Sequence, residues 1–393
     1  MLMQRVKADA GAVSWLSFNP GKLLILMLML LCVHSSIYES QGQENSPPDA
    51  VPERNYLFVA CPGIRNYLEY GGHGLLVYDI DDNHRFLRRI PLAGVAEDGR
   101  PINVKGICGN AQTGRIFVST IRTLQCVDMH TESILWEKTY EGGLDRMSIS
   151  PDGKFIYQPS FEGPDWYVLD GINGDVMATL SPGSGAHNTI VGLDGKYAYL
   201  AGLKSPILSI ADTSVHQLTK QVGPFSNSIR PFTVDGKQHR CYVCVNELLG
   251  FEIGDIRSGR MLHRIEVQGF SPGKVKRHGC PSHGVGLTPD EKEIWVVDAF
   301  NRRIHIFDNT VDPPEQRESI ALRDEPGWVT FSIDGRWAYP STGQIIDTAS
   351  KRIVAQLTDE HGTAVASEKI LQVVFQNGKA IRTGDQFGLG RVR

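Results

Sequence analysis

From residue 104 onward, one unit returns about every forty residues: a tight turn followed by a short apolar strand. TGRIFVST starts at 113, DGKFIYQPS at 152, DGKYAYLAG at 194, DGKQHRCYVCV at 235, DEKEIWVVDAF at 290 and DGRWAYPST at 334. Between the turn glycines, with Glu291 standing in for one, the spacings are 39, 42, 41, 55 and 44 residues. Each unit runs on into a second hairpin, as in VLDGINGDVMATL, SIADTSVHQLTKQV and IIDTASKRIVAQL. A period near forty with four short strands per unit predicts a β-propeller, because one four-stranded blade cannot bury both of its faces alone. Packed radially, each blade covers the next, and the ring leaves no long exposed edge.

The expected fold is therefore all-β, with seven four-stranded antiparallel blades. The 41 glycines and 21 prolines suit a chain with many turns. Closing the ring requires the two ends of the chain to meet. NYLFVAC reads as a second strand lacking its inner partner, and EKILQVVF as an inner strand lacking its blade. The two are expected to pair in a composite first blade. The remaining GKAIRTGDQFGLGR has no assigned place beyond a further hairpin.

The N-terminus stands apart. Arg5, Lys7 and Lys22 precede LLILMLMLLCV at 23–33, a run too short for a comfortable membrane span. Residues 1–36 read as a signal peptide or N-terminal anchor, 37–54 as a linker and 55–393 as the propeller. The chain is expected to be exported to the periplasm, cell surface or medium as a monomer, with no membrane span unless the N-terminal segment stays uncleaved. A net charge of −4 with intermixed signs argues against a nucleic-acid partner. Seven scattered cysteines are not a disulfide scaffold, and Cys241 and Cys244, three apart on a strand, point to opposite faces.

At SPDGKFIY and SHGVGLTPDEKEIWVVD the chain resembles the YVTN or YncE-like family of secreted bacterial seven-bladed propellers, over roughly residues 55–375. The resemblance implies the fold and export. Its members serve as binding modules, surface proteins, lactonases and redox scaffolds, so it implies function poorly.

A propeller's site is expected at the mouth where its inner strands begin. Counting eight back from each turn glycine gives Asp145, His187, Ser228, His283 and Gly327, with Lys105 if the second blade carries one extra residue. Their neighbours are Arg146, Asn188 and Trp328, and Arg230 follows in blade five. The loops between second and third strands bring Glu162, Glu247 and Arg302, and the long loop of blade one brings His73. His187 or His283 suits a general base oriented by Asp145 or Glu247, with Arg146 or Arg230 stabilising an oxyanion. The same two imidazoles suit a divalent metal such as zinc or copper, as do the donors of RHGCPSHG at 277–284. Lys105 and Arg230, with Asn188, Glu162, Glu247, Arg302, Trp328 and His73, are the candidate ligand-binding set. The primary reading is a mouth that binds a small anionic ligand or an exported protein partner. The alternative is a propeller hydrolase of lactonase type, with or without a divalent metal as cofactor.

Overall fold

A computed structural model describes residues 52–393, so the expected signal segment and most of the expected linker lie outside the described residues. The repeats form seven antiparallel sheets, six of which follow chain order from the inner strand outward. Blades two to seven occupy 104–139, 148–180, 186–222, 229–266, 285–321 and 329–356. Blade one joins the ends of the chain. Arg54–Cys61 pairs on one side with Gly74–Asp79 and on the other with Ile370–Gln376, in a register from Arg54↔Phe375 to Val59↔Ile370. A further strand, Lys379–Thr383, extends this sheet to five, so the hairpin expected near the C-terminus is present.

Burial explains why the strand sequences differ across a blade. Middle strands such as Arg115–Thr120 and Glu293–Asp298 are buried on both faces, because a neighbouring blade covers each face. Outer strands such as Gln217–Val222 meet solvent along nearly their whole length. Trp166, Trp295, Tyr157, Tyr199 and Tyr339 are wholly buried between blades. Each such ring contributes about 1.5–3 kcal/mol by leaving water, so the interleaved layer between blades is the core. Leu57 and Val59 of blade one pack with Tyr339 and Ile345 of blade seven, which closes the ring.

The turns after the inner strands require a left-handed residue. Gly153, Gly195 and Gly335 supply it with φ of 72°, 72° and 75°, and Glu291 adopts 62° in their place. Blade five differs from the sequence expectation. There the left-handed residue is Gln238, with φ of 57°, two positions after Gly236. The eight-residue count therefore lands on Arg230 rather than Ser228. In blade two a β-bulge between Val104 and Gly106 supplies the extra residue that brings Lys105 into line.

After Thr383 the chain crosses the end of the ring where the inner strands finish. Gln386 accepts from the Ile107 amide at 3.2 Å and donates to the Met147 carbonyl at 3.3 Å. The Gly388 carbonyl accepts from Thr233 and from the Leu287 amide, both at 2.8 Å. The indole N–H of Trp328 donates to the Gln386 carbonyl. One short tail thus bonds to blades two, three, five, six and seven. Its Phe387 and Leu389 are buried among Ile229, Phe232 and Trp328.

Candidate metal and anion site

The opposite end carries the polar residues. A cavity of about 280 Å³ is lined there by residues at or just before the inner strands of six blades. Lys105 comes from blade two, Arg146 from three, His187 from four, Arg230 from five, His283 from six, and Glu368 with Lys369 from blade one. His278 enters from the long loop that precedes the inner strand of blade six. Phe161 and Glu162 add one wall, and Lys105 stands 4.9 Å from the Phe161 ring centroid.

Two carboxylates organise the site. Glu368 Oε2 accepts from Lys369 Nζ at 2.8 Å and from the Arg146 guanidinium, while Oε1 lies 3.3 Å from His278 Nδ1. Burial alone would raise the Glu368 pKa, but Lys369, Arg146 and the two histidines hold it well below the usual carboxylate range. Asp145 lies behind the cavity wall with no exposed surface. Its Oδ2 faces His187 Nδ1 at 2.7 Å and its Oδ1 faces Lys105 Nζ at 3.3 Å. Burial pushes this carboxyl up as well, yet His187 and Lys105 outweigh it and hold the pKa down to about 2.

The histidines are kept neutral. Burial lowers the pKa of His187, and of His278, and takes His283 well below 6.5 with the help of the adjacent His278. Ionised Asp145 can only accept, so His187 carries its proton on Nδ1 and presents a bare Nε2. That Nε2 is buried without a partner, and so is His278 Nε2. His283 Nδ1 donates to the Gly327 carbonyl at 3.1 Å, which leaves its Nε2 as the ligating nitrogen. The His278 and His283 rings lie 4.9 Å apart, and His187 is 6.5 Å from His283.

His278, His283 and Glu368 bring one ligand atom each to within 4.8 Å of one another, forming a cluster able to coordinate a divalent metal. Two neutral imidazoles and a carboxylate are suitable donors for such an ion. Gly327 keeps the space open, because a Cβ there would collide with both His278 and Glu368. Beneath the cluster, Arg146 stacks 4.3 Å above the Trp328 ring, which the C-terminal tail holds from the other side.

Of the residues singled out in the sequence, Lys105, Arg146, Glu162, His187, Arg230 and His283 line the cavity. Asp145 lies behind the wall and is hydrogen-bonded to His187, and Trp328 lies under Arg146. Asn188 is wholly buried outside the lining. Glu247 and Arg302 occupy left-handed turn positions with exposed side chains, one strand further from the axis than the site. His73 bonds the Ala93 carbonyl at 3.2 Å and also stays outside the lining. Within RHGCPSHG, His278 sits against His283. Cys280 donates to the Ser282 carbonyl, with burial pushing its thiol up to about 12. The sequence reading missed Glu368 and Lys369. A signal for them existed: Asn377, with φ of 52°, is the left-handed residue of the closing blade, and eight back from it is Lys369.

No protein-family model matches this chain, and no curated protein matches it. By shape, 1649 chains of solved structures are similar, so the fold is too common to point to one activity. Among them is Kuenenia stuttgartiensis hydrazine synthase, 14% identical with a TM-score of 0.43 over 63% of this chain and 96% of that one. That likeness carries no argument about function.

Proposed function

We propose that this protein is an exported propeller hydrolase acting on a lactone or ester, with a divalent metal held by His278, His283 and Glu368. The observation that carries the reading is the convergence of those three ligand atoms within 4.8 Å in the wall of one cavity. A metal bound there would polarise the carbonyl oxygen of the substrate as a Lewis acid. The remaining chemistry belongs to the chain. Asp145 fixes the tautomer of His187, so the bare Nε2 is oriented to take a proton from water. Arg146 and Lys369 hold Glu368 ionised on one oxygen, which leaves Oε1 facing the two histidines. The resemblance of SHGVGLTPDEKEIWVVD to the YVTN or YncE-like pattern supports export and is in keeping with lactonase chemistry on such a ring.

Elemental analysis of protein purified without chelators, joined to a hydrolysis screen across lactones and esters, tests this. One metal per chain, lost with activity in His283→Ala, is the expected result. A chain that holds no metal and hydrolyses nothing in the screen would overturn it. The second reading is binding without chemistry, of a small anionic ligand or an exported protein partner. The lining favours it in one respect: six basic side chains face two carboxylates.

A further inference from the structure

Those six bases divide by what they touch. Arg146 and Lys369 hold Glu368, and Lys105 faces Asp145. Arg277 lies 2.6 Å from Asp324 and 3.6 Å from Glu325. Arg65 and Arg230 are different, because among the described residues each is held only by neutral oxygens. Arg65 Nη2 donates to the Arg277 carbonyl at 2.8 Å. Arg230 Nε donates to Asn246 Oδ1 at 2.6 Å, and its Nη2 reaches the Gly279 carbonyl at 3.4 Å. The Arg230 guanidinium also packs over Gly279, where a Cβ would stand 2.9 Å from Nη2 and 3.1 Å from Nη1. The first glycine of RHGCPSHG thus makes room for this fork.

These contacts orient the exposed Arg65 and the half-buried Arg230 toward the cavity and, among the described residues, leave most of their donors unused. Glu162, the lining carboxylate outside the ion pairs just described, is exposed and makes no ion pair among the described residues. Two positioned guanidiniums in one concave wall, without a carboxylate of their own, favour a planar or tetrahedral oxyanion.

We propose that Arg65 and Arg230 clamp an oxyanion group, a carboxylate or a phosphate, on the small molecule that occupies this cavity. The proposal rests on reading the cavity as a ligand site and deepens the proposed function: the substrate is a lactone or ester that carries an anionic substituent. Arg65 belongs to the long loop of blade one and Arg230 to the inner strand of blade five, so the clamp spans elements far apart in sequence.

The test uses the full chain stripped of metal with a chelator, titrated calorimetrically with inorganic phosphate and separately with succinate. Wild type is expected to bind at least one of them, and which one identifies the group. Arg65→Gln and Arg230→Gln should each weaken that binding about ten-fold or more, as expected for a lost charge-assisted hydrogen bond. Arg317→Gln, which removes an exposed partner of Asp308 on an outer strand, should leave it unchanged. If a Gln variant fails to fold, the Lys variant keeps the charge, loses the fork, and should still weaken binding. Failure of wild type to bind either probe, or equal binding by wild type and both variants, overturns the clamp. The hydrolase reading fails separately: loss of metal binding and turnover as its support would leave phosphate or succinate affinity, and the clamp, intact.

Discussion

Where the inner strands begin, six blades turn histidines, carboxylates and bases toward one cavity. Where the same strands finish, the C-terminal tail bonds to five blades and buries Phe387 and Leu389. The first end holds partnerless nitrogens, His187 Nε2 and His278 Nε2 among them, while the buried side chains of the tail are satisfied or apolar. A buried polar atom without a partner costs stability, so a fold retains several together where a ligand, ion or water completes them. One end of this ring is tied together by the tail, and the other gathers buried polar atoms without partners.

Removing residues 384–393 is the severest way to break that contrast. The tail's buried Phe and Leu together are worth roughly 5 kcal/mol or more, so denaturant unfolding should shift by about that amount. Trp328 would also lose the carbonyl that holds it, and Arg146 would lose its firm support. An unchanged unfolding midpoint would show that the tail is not structural.

Glu368→Gln acts at the other end and is expected to cost about 3 kcal/mol or more, because it leaves Arg146 and Lys369 buried without their anion. Its midpoint in urea measures this. A stability equal to wild type would show that this end tolerates change as freely as a solvated surface does.

Acid sharpens the contrast further. His187, His278 and His283 have pKa values lowered by burial, so below the ordinary value of 6.5 the unfolded chain takes up protons that the folded chain refuses. Stability is full above that value and falls as pH drops through it, by about 1.4 kcal/mol for each unit of separation. The depressed Asp145 and Glu368 keep their contribution until pH falls below the ordinary carboxyl values of 3.8 and 4.5. Melting temperatures of chelator-treated protein between roughly pH 5 and 7.5 should decline toward acid, and less steeply in His283→Gln. A flat profile in wild type would show that these imidazoles are not held neutral.

Gly279→Ala is the gentlest probe. The added Cβ meets the far end of the Arg230 side chain rather than backbone, so stability should change by less than about 1 kcal/mol. Oxyanion affinity should nevertheless fall. Unaltered affinity would mean that Arg230 can leave its place over the glycine without consequence.

Much of the site could be read from the turns, and the misses have local causes. Counting from Gly153, Gly195 and Glu291 placed Asp145, His187 and His283 because the inner strands keep a constant length to a left-handed residue. The count slipped in blade five, where Gln238 takes that conformation although Gly236 stands nearby. It was not run in the closing blade, where Asn377 plays the part and leads to Lys369 beside Glu368. His278 lies outside any such register. It reaches His283 only because its loop folds back over the inner strand, and loop paths carry no period. Glu247 and Arg302 came from the polar loops between second and third strands, and neither lines the cavity as Glu162 of the same loop set does.

The sequence by itself determined the ring: its period, its seven blades and the pairing of its two ends follow from strand length, turn chemistry and the need to cover two faces of every sheet. That Glu368 meets His278 and Arg146 was decided only by the tertiary structure, since Glu368 and Arg146 stand 222 residues apart along the chain. So was the choice of the open end, because the tail that occupies the other has no repeat and declares its place only through bonds to five blades. Strand patterns are local and legible in the sequence, whereas convergence on an axis depends on closing the ring.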